Sequence, residues 1–413
     1  MLANLKKLGP GLLFAGAAIG VSHLVQSTRA GADFGFGLVW ALLLVNVFKY
    51  PFFRFGPQYA IATKESLIDG YKRLGKWVFV IYFLLTFATM FTIQTAVTIV
   101  TASLTSYVIF EFQSVEIGNF ILNSVQIWTI IILLFSAAIL IIGRYKLLDR
   151  LMKIIIITLT ISTLISVFAS GINTEQPFDF TQIFPDQSKW VFLIAFMGWM
   201  PAPMDISVWH SVWSLEKQRE TEMLDVKSSI FDFNIGYVTT LILGLGFLTL
   251  GALVIYNSDE TLQTSAAGFS AQLIQMYTSS LGNWAYSIIG IAAITTMFST
   301  TLTTFDGSPR VLERTTALLS NFKIERSYNF WLCVLFLGTI GIFFFLSSNL
   351  GTLVEVATIL SFLTAPFYAI ANYKLISAKH VPREHRPKRN IHILSWLGIV
   401  FLIGFGVWFV TTL

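Results

Sequence analysis

Two stretches carry residues whose types and spacing suit ligand binding: Gly16-Ala17-Ala18-Ile19-Gly20-Val21-Ser22-His23 and Gly198-Trp199-Met200-Pro201-Ala202-Pro203-Met204-Asp205. Each lies in an apolar run with helical character, and each is interrupted by residues that end helical hydrogen bonding. Pro201 and Pro203 have no N–H, so the carbonyls of residues 197–199 lose their usual helical donors. An unwound point presents free carbonyls and amides, which can replace a cation's hydration shell or hold an anionic group. Asp205 follows the second break directly. A lone carboxylate at membrane depth costs about 2.5–3.5 kcal/mol, so it requires a cation, a proton or a basic partner. A salt bridge to Lys49 or Arg54 competes there with direct ligand binding. His23 can titrate near neutral pH or ligate a metal, and beside Ser22 in a kink it equally suits an internal hydrogen bond. His23, Asp205 and Met200 are the candidate metal ligands. Gly20, Trp199, Pro201 and Thr358 complete the candidate substrate contacts.

The elements that position these residues follow from composition. Of 413 residues, 55% are hydrophobic and only 12% charged, where a soluble domain would carry about 25% charged. The 38 phenylalanines and 11 tryptophans suit lipid-facing surfaces and interfacial belts. The solvent is therefore a bilayer, and crossing it takes about 20 apolar residues in helical form. That yardstick predicts eleven spans, at 10–28, 37–61, 77–107, 121–142, 151–172, 189–211, 233–256, 284–305, 329–347, 351–374 and 392–412. The segments 216–230 and 261–277 lie outside the spans as candidate surface helices, the second with Phe269, Leu273 and Tyr277 at helical spacing.

Charge placement orients the chain. Alternate loops gather 23 of the 27 basic residues on one side, and only Arg29 and Lys189 fall on the other. Basic loops resist translocation, which predicts a multi-pass protein of the inner (plasma) membrane with a cytoplasmic N-terminus and an external C-terminus. The net charge of +5 therefore reflects topology. The basic run 379–389 reads as a cytoplasmic loop, and no nucleic-acid partner is expected. The single cysteine, Cys333, lies in an apolar run and excludes both a disulfide framework and a cysteine metal site. Lys49, Arg54 and Pro51 suit basic side chains that snorkel to the interface around a kink. Asp306 and Arg310, four apart at the inner end of the eighth span, suit an intrahelical pair and a gate.

Gly/Pro breaks at corresponding places in two halves are the strongest sequence pointer to a transport site. The breaks in spans 1 and 6 open two blocks of five spans. Because five is odd, the second block is inverted, giving repeats at 1–175 and 176–390 with an additional span at 391–413. Gly9-Pro10-Gly11, Gly31-Ala32-Asp33-Phe34-Gly35, Leu38-Val39-Trp40-Ala41-Leu42-Leu43-Leu44, His210-Ser211 and Pro366-Phe367 then resemble the NRAMP divalent-metal transporters. The resemblance covers essentially the whole chain. It implies an all-α, LeuT-like 5+5 inverted repeat plus one helix, with substrate held between broken spans 1 and 6.

The site motifs depart from that family. Gly20-Val21-Ser22-His23 stands where it has Asp-Pro-Gly-Asn, and Met200-Pro201-Ala202-Pro203 where it has Met-Pro-His-Asn, with about three extra residues before His210. The acidic residues of the family's third span are absent from 84–105, where Gln94 and threonines supply the polarity. Thr358, Thr364 and Glu355 stand near the tenth-span glutamines, and the run 295–304 adds hydroxyls that either satisfy helix carbonyls or line a path. His210, Glu355, Asp306 and Arg310 are the candidate coupling or gating residues. The resulting expectation is a monomeric secondary transporter, without cofactor, that moves a cation such as Mn2+ or Mg2+. An amino-acid-like solute or a non-transporting sensor is the alternative. No nucleophile, base and orienting group occur together at a motif spacing, so an enzyme is not expected.

Overall fold

The computed structural model describes residues 9–117, 120–173, 179–221, 225–256, 263, 266–319, 327–345 and 350–412. Its first element is broken as the glycines predict: α1 (Pro10–Ala18) stops, a turn of π-helix (Ser22–Ser27) follows, and α2 (Thr28–Phe34) continues the crossing at 49° to α1. The chain then forms α3 (Val39–Thr63), the short α4 (Leu67–Leu74) and α5 (Lys76–Val108). After α6 (Ser124–Asn173) comes a second broken helix pair, α7 (Trp190–Trp199) and α8 (Ile206–Thr221). The remainder is α9 (Val226–Val254), α10 (Ala266–Leu281), α11 (Tyr286–Leu319), α12 (Ser327–Phe345), α13 (Leu350–Ile376) and α14 (Arg389–Thr412).

Among the described residues, seven helical segments are long and apolar enough to cross a membrane, and the bent pair α1–α2 makes an eighth. Two of the seven lie in α6, at Ser124–Gly143 and Arg150–Ile172. Between them a loop was expected, but the backbone is helical throughout. Leu, Lys, Arg and Met after Gly143 are strong helix formers, and no proline or glycine interrupts them until Gly171, at the helix end.

The fourth span was expected to begin at residue 121. Instead Val115–Ile117 (β1) pairs antiparallel with Phe120–Leu122 (β2), with Val115 opposite Leu122, and helix starts only at Ser124. Alternating apolar residues around Gly118-Asn119 carry a strand signal that a span-length yardstick overlooks. The segment 216–230 is no separate surface helix, since α8 runs to Thr221 and α9 starts at Val226; Met223 and Leu224 lie outside the described residues. The other candidate, 261–277, does hold a helix in α10, with Phe269 and Leu273 buried.

Broken span 1 lies along α9. A Cβ on Gly236 would stand 2.0 Å from the Gly11 carbonyl oxygen, so the two backbones touch at a crossing only glycine permits. The Asp232 carboxylate, also on α9, accepts the Gly9 N–H at 3.0 Å and the Gly11 N–H at 2.7 Å. It thereby satisfies two orphan donors and opposes the positive end of the α1 dipole. Phe14, Phe53, Phe233 and Tyr237 pack ring on ring beneath this junction.

The loop after α13 folds back onto the end of α3. His380 Nε2 lies 2.9 Å from the Tyr59 hydroxyl, and Gln58 donates to the His385 carbonyl at 2.6 Å. Gly236→Ala should force α1 and α9 apart and lower stability by about 1–3 kcal/mol. Gly171→Ala, where nothing lies within 4 Å, should be neutral or slightly stabilising. Thermal unfolding in detergent compares the two, and equal responses would contradict the crossing.

Candidate functional site

At the second break, α7 ends at Trp199 and helix resumes only at Ile206, with a cis peptide between Met200 and Pro201. The carbonyls that the prolines leave without helical donors are not empty-handed. Lys49 of α3 is fully buried, and its Nζ donates to the carbonyls of Met197 at 2.9 Å, Gly198 at 2.7 Å and Met200 at 3.0 Å. This corrects the expectation that Lys49 snorkels to an interface: its ammonium turns inward because the open end of α7 offers what an interface would offer. Arg54, one turn on, donates to Gln58 at 3.1 Å.

At the first break the donor is a hydroxyl. Thr300 Oγ1 of α11 lies 3.0 Å from the Gly16 carbonyl oxygen and 3.0 Å from that of Ile19, and 3.4 Å from Thr296 in its own helix. One proton cannot satisfy three acceptors, so the end of α1 keeps spare carbonyl capacity. Ser22 repeats the pattern, with its single proton between the Ala18 carbonyl at 2.6 Å and His23 Nδ1 at 2.7 Å. A Cβ on Gly20 would sit 2.5 Å from Thr300 Oγ1, so the absence of a side chain at residue 20 is what lets α11 reach the break. Beside it, Thr304 donates to Gln94 Oε1 at 2.7 Å, and Thr101 and Thr301 share a hydrogen bond of 2.7 Å. Thus Thr300 and Thr304 both satisfy neighbours and line the space between the breaks.

That space is a cavity of about 20 Å³, walled by Gly20, Ser22, Trp199, Pro203, Trp209, Thr300 and Thr304 among others. It holds little more than one or two water-sized occupants. Its wall is largely apolar, with Ala17, Val21, Ile93, Val97 and Ile206; the hydroxyl-bearing Ser22, Thr300 and Thr304 and two indoles are the polar side chains on it, and no carboxylate, imidazole or sulfur-bearing residue lines it.

The structure distributes the predicted residues unevenly. Gly20 and Trp199 line the cavity, and the Trp199 indole donates to Ser361 of α13 at 2.8 Å. Thr358 is buried on α13, where its hydroxyl donates to the Glu355 carbonyl and its own carbonyl would meet a Cβ on Gly198 at 2.4 Å; it positions α7. Glu355 is exposed on the outside of α13. Pro201 is buried within the break.

The three candidate metal ligands meet different partners. His23 is occupied on both ring nitrogens, by Ser22 and by the Thr240 carbonyl at 3.0 Å. The Met200 sulfur takes the Ser27 hydroxyl at 3.9 Å. Asp205 is turned from the cavity into electrostatic reach of the Tyr71, Tyr82 and Tyr368 phenols, with Oδ1 unpaired. The alternative to ligand binding, a bridge from Asp205 to Lys49 or Arg54, does not form, since those two cations donate elsewhere. Among the described residues, no three His, Cys, Asp or Glu side chains gather to hold a metal. His210 is buried against Phe14, ring centroids 5.7 Å apart, without a hydrogen-bond partner. Thr300 and Asp232 serve the ends of α1; the sequence pointed to the hydroxyl run 295–304 without picking out Thr300, and did not point to Asp232. One threonine among six other hydroxyl residues of the run 295–304 and a lone aspartate at a span end give no periodic signal.

Asp306 and Arg310 form the expected pair, with Arg310 donating twice at 2.9 and 2.6 Å. Asp306 also accepts from Trp213 at 3.0 Å and Tyr328 at 2.9 Å. Beyond Arg310 opens a second cavity of about 330 Å³, lined by charged residues including Lys64, Asp69, Glu216 and Arg314. Trp209 lines the inner cavity and packs edge-on against Trp213, so this network separates the two spaces. Arg314 closes a further pair with Asp69 at 2.5 Å, and Asp69 also completes the capping box of α4.

Thr300→Val, which keeps the shape but deletes the shared proton, should cut transport about tenfold, whereas Thr300→Ser should retain it; a buried hydrogen bond of about 1–1.5 kcal/mol sets that scale. Asp306→Ala should destabilise by about 3 kcal/mol by stranding Arg310, and the Asp306→Ala/Arg310→Ala double variant by less, a cycle read by thermal unfolding. A double variant as unstable as the sum of the singles would contradict the pairing.

A sequence model of the natural resistance-associated macrophage protein-like family matches residues 11–412. An uncharacterized protein of Pasteurella multocida (strain Pm70) is 38% identical over 411 residues, which is 98% of this chain and 91% of that one. A crystal structure of the Eremococcus coleocola manganese transporter superposes with a TM-score of 0.74 at 14% identity, covering 98% of this chain and 86% of that one. The structure of MhsT in complex with L-phenylalanine follows with a TM-score of 0.64 at 14% identity, over 96% and 98% of the two chains. The likeness to these solved structures establishes a LeuT-type fold. The chain belongs to the natural resistance-associated macrophage protein-like family and is a metal-ion transporter of the NRAMP type rather than an enzyme.

Proposed function

We propose that the transported ion is a hard divalent cation of the Mg2+ class, bound at the end of α1. The observation that carries this reading is the excess of acceptors there: Thr300 offers one proton to the Gly16 and Ile19 carbonyls together. On a largely apolar cavity wall, Ser22, Thr300 and Thr304 supply hydroxyl oxygens and no residue supplies sulfur or imidazole. Oxygen-only sites suit Mg2+ and Mn2+, whereas softer ions prefer sulfur or nitrogen ligands. The negative end of the α1 dipole adds attraction. At about 20 Å³ the cavity is far below the 300 Å³ or more that encloses an organic ligand, which disfavours an amino-acid substrate. The Eremococcus coleocola protein of the same fold is described as a manganese transporter, an ion of the same oxygen-accepting kind.

The eleven-span count is part of this reading. To the eight crossings already recognised by length and apolarity, α3, the α7–α8 pair and α11 add three. The 23 basic residues on one side support a plasma-membrane protein whose N-terminus and 330 Å³ charged cavity face the cytoplasm, with the network around Asp306 and Arg310 as inner gate. The same odd count supports two inverted repeats, 1–175 and 176–390, with 391–413 added, acting as a monomer.

Purified protein in liposomes loaded with metal-sensitive dyes tests the substrate. Mg2+ and Mn2+ should enter, and Cd2+ at equal concentration should not displace them. Preferential uptake of Cd2+, or movement of an amino acid without any metal, would contradict the reading.

A further inference from the structure

Two carbonyl-bearing helix ends point into the middle of this protein, and only one of them is open. The end of α7 is filled by the Lys49 ammonium, which has three protons and spends them on three carbonyls of one short stretch, those of Met197, Gly198 and Met200. A neutral amine has only two N–H groups and would aim its lone pair at the third oxygen, so this geometry selects the charged form. Among the described residues no carboxylate pairs with Lys49. Its charge is met by carbonyl dipoles and the negative end of α7, the means by which backbone also coordinates dissolved monovalent ions.

We propose that Lys49 is a tethered monovalent cation: its ammonium occupies a carbonyl cage that would otherwise hold free Na+ or K+, so the transporter needs no dissolved ion at the end of α7. This goes beyond the identity of the transported metal and does not depend on it. The cage and the cation belong to different helices, α7 and α3, so the tether also staples the first half of broken span 6 to span 2. A dissolved ion leaves and re-enters as a transporter changes conformation. A tethered one stays, and no monovalent ion exchanges at this point.

The test is to remove the tether and offer the ion. Lys49→Ala clears the stem and the ammonium, whereas Lys49→Met keeps the stem and deletes the charge. Each full-length protein is purified in NaCl, exchanged into NaCl, KCl or choline chloride at equal ionic strength, and unfolded by heat in detergent. Lys49→Ala should melt about 5 °C higher, saturably, in Na+ or K+ than in choline, because an ion that binds only the folded state stabilises it. The parent protein, whose cage is filled, and Lys49→Met, whose remaining stem blocks the space a free ion would need, should show no such difference. An ion-indifferent Lys49→Ala would overturn the proposal. So would failure of Lys49→Ala to yield folded protein in NaCl, since a free cation would then be unable to replace the ammonium. A salt response of equal size in the parent protein would overturn it as well. Metal uptake is not read in this experiment, so its outcome is independent of which divalent ion is carried.

Discussion

A helix that stops inside a bilayer strands its last carbonyls where no water can reach them, and the rest of this structure is arranged around that constraint. Spans 1 and 6 both stop near the centre. The exposed ends of α1 and α7 are negative, so each requires positive charge or donated protons. Lys49 meets the requirement at α7 with a full charge and three hydrogen bonds. Thr300 meets it only in part at α1, with one proton for two carbonyls of the break. The opposite, positive end of α1 is held by Asp232.

This division of labour accounts for a site without acidic ligands. A charged residue near the centre of a membrane is costly, about 2.5–3.5 kcal/mol on insertion scales, and it is retained where it has a function. Here the buried charge of Lys49, carried on α3, is set against the end of α7, and the proposed ion site at the end of α1 is left to backbone and hydroxyl oxygens. Gly20 lets α11 approach the break closely enough for Thr300 to participate. Asp306 gathers Arg310, Trp213 and Tyr328 into one network between the inner cavity and the wider charged one.

Much of the architecture was legible in the sequence because it rests on local chemistry. Glycine and proline marked both breaks, apolar runs marked the spans, and the i,i+4 spacing of Asp306 and Arg310 fixed their pairing. The loss of donors to residues 197–199 also followed from Pro201 and Pro203 alone. The direction of side chains did not follow, because it is decided by partners distant in sequence. Lys49 has the same spacing whether it snorkels or turns inward; only the proximity of α7, some 150 residues on, decides. Asp205 follows the break directly, yet does not line the cavity and lies within electrostatic reach of the tyrosines of α4, α5 and α13. The β1–β2 hairpin was hidden for a different reason: six apolar-rich residues next to a span look like its continuation until strand pairing competes.

The central claim is that the transported ion sits at the α1 end while Lys49 keeps the α7 end. Mn2+ can stand in for Mg2+ as an anomalous scatterer in crystals of the protein, and the position of its anomalous peak tests the claim most directly. A peak in coordination contact with the carbonyls of Gly16 or Ile19 and the Thr300 hydroxyl, with the Lys49 ammonium still in place, is the predicted result. A peak on Asp205 or His210, or within the carbonyls now held by Lys49, would contradict it.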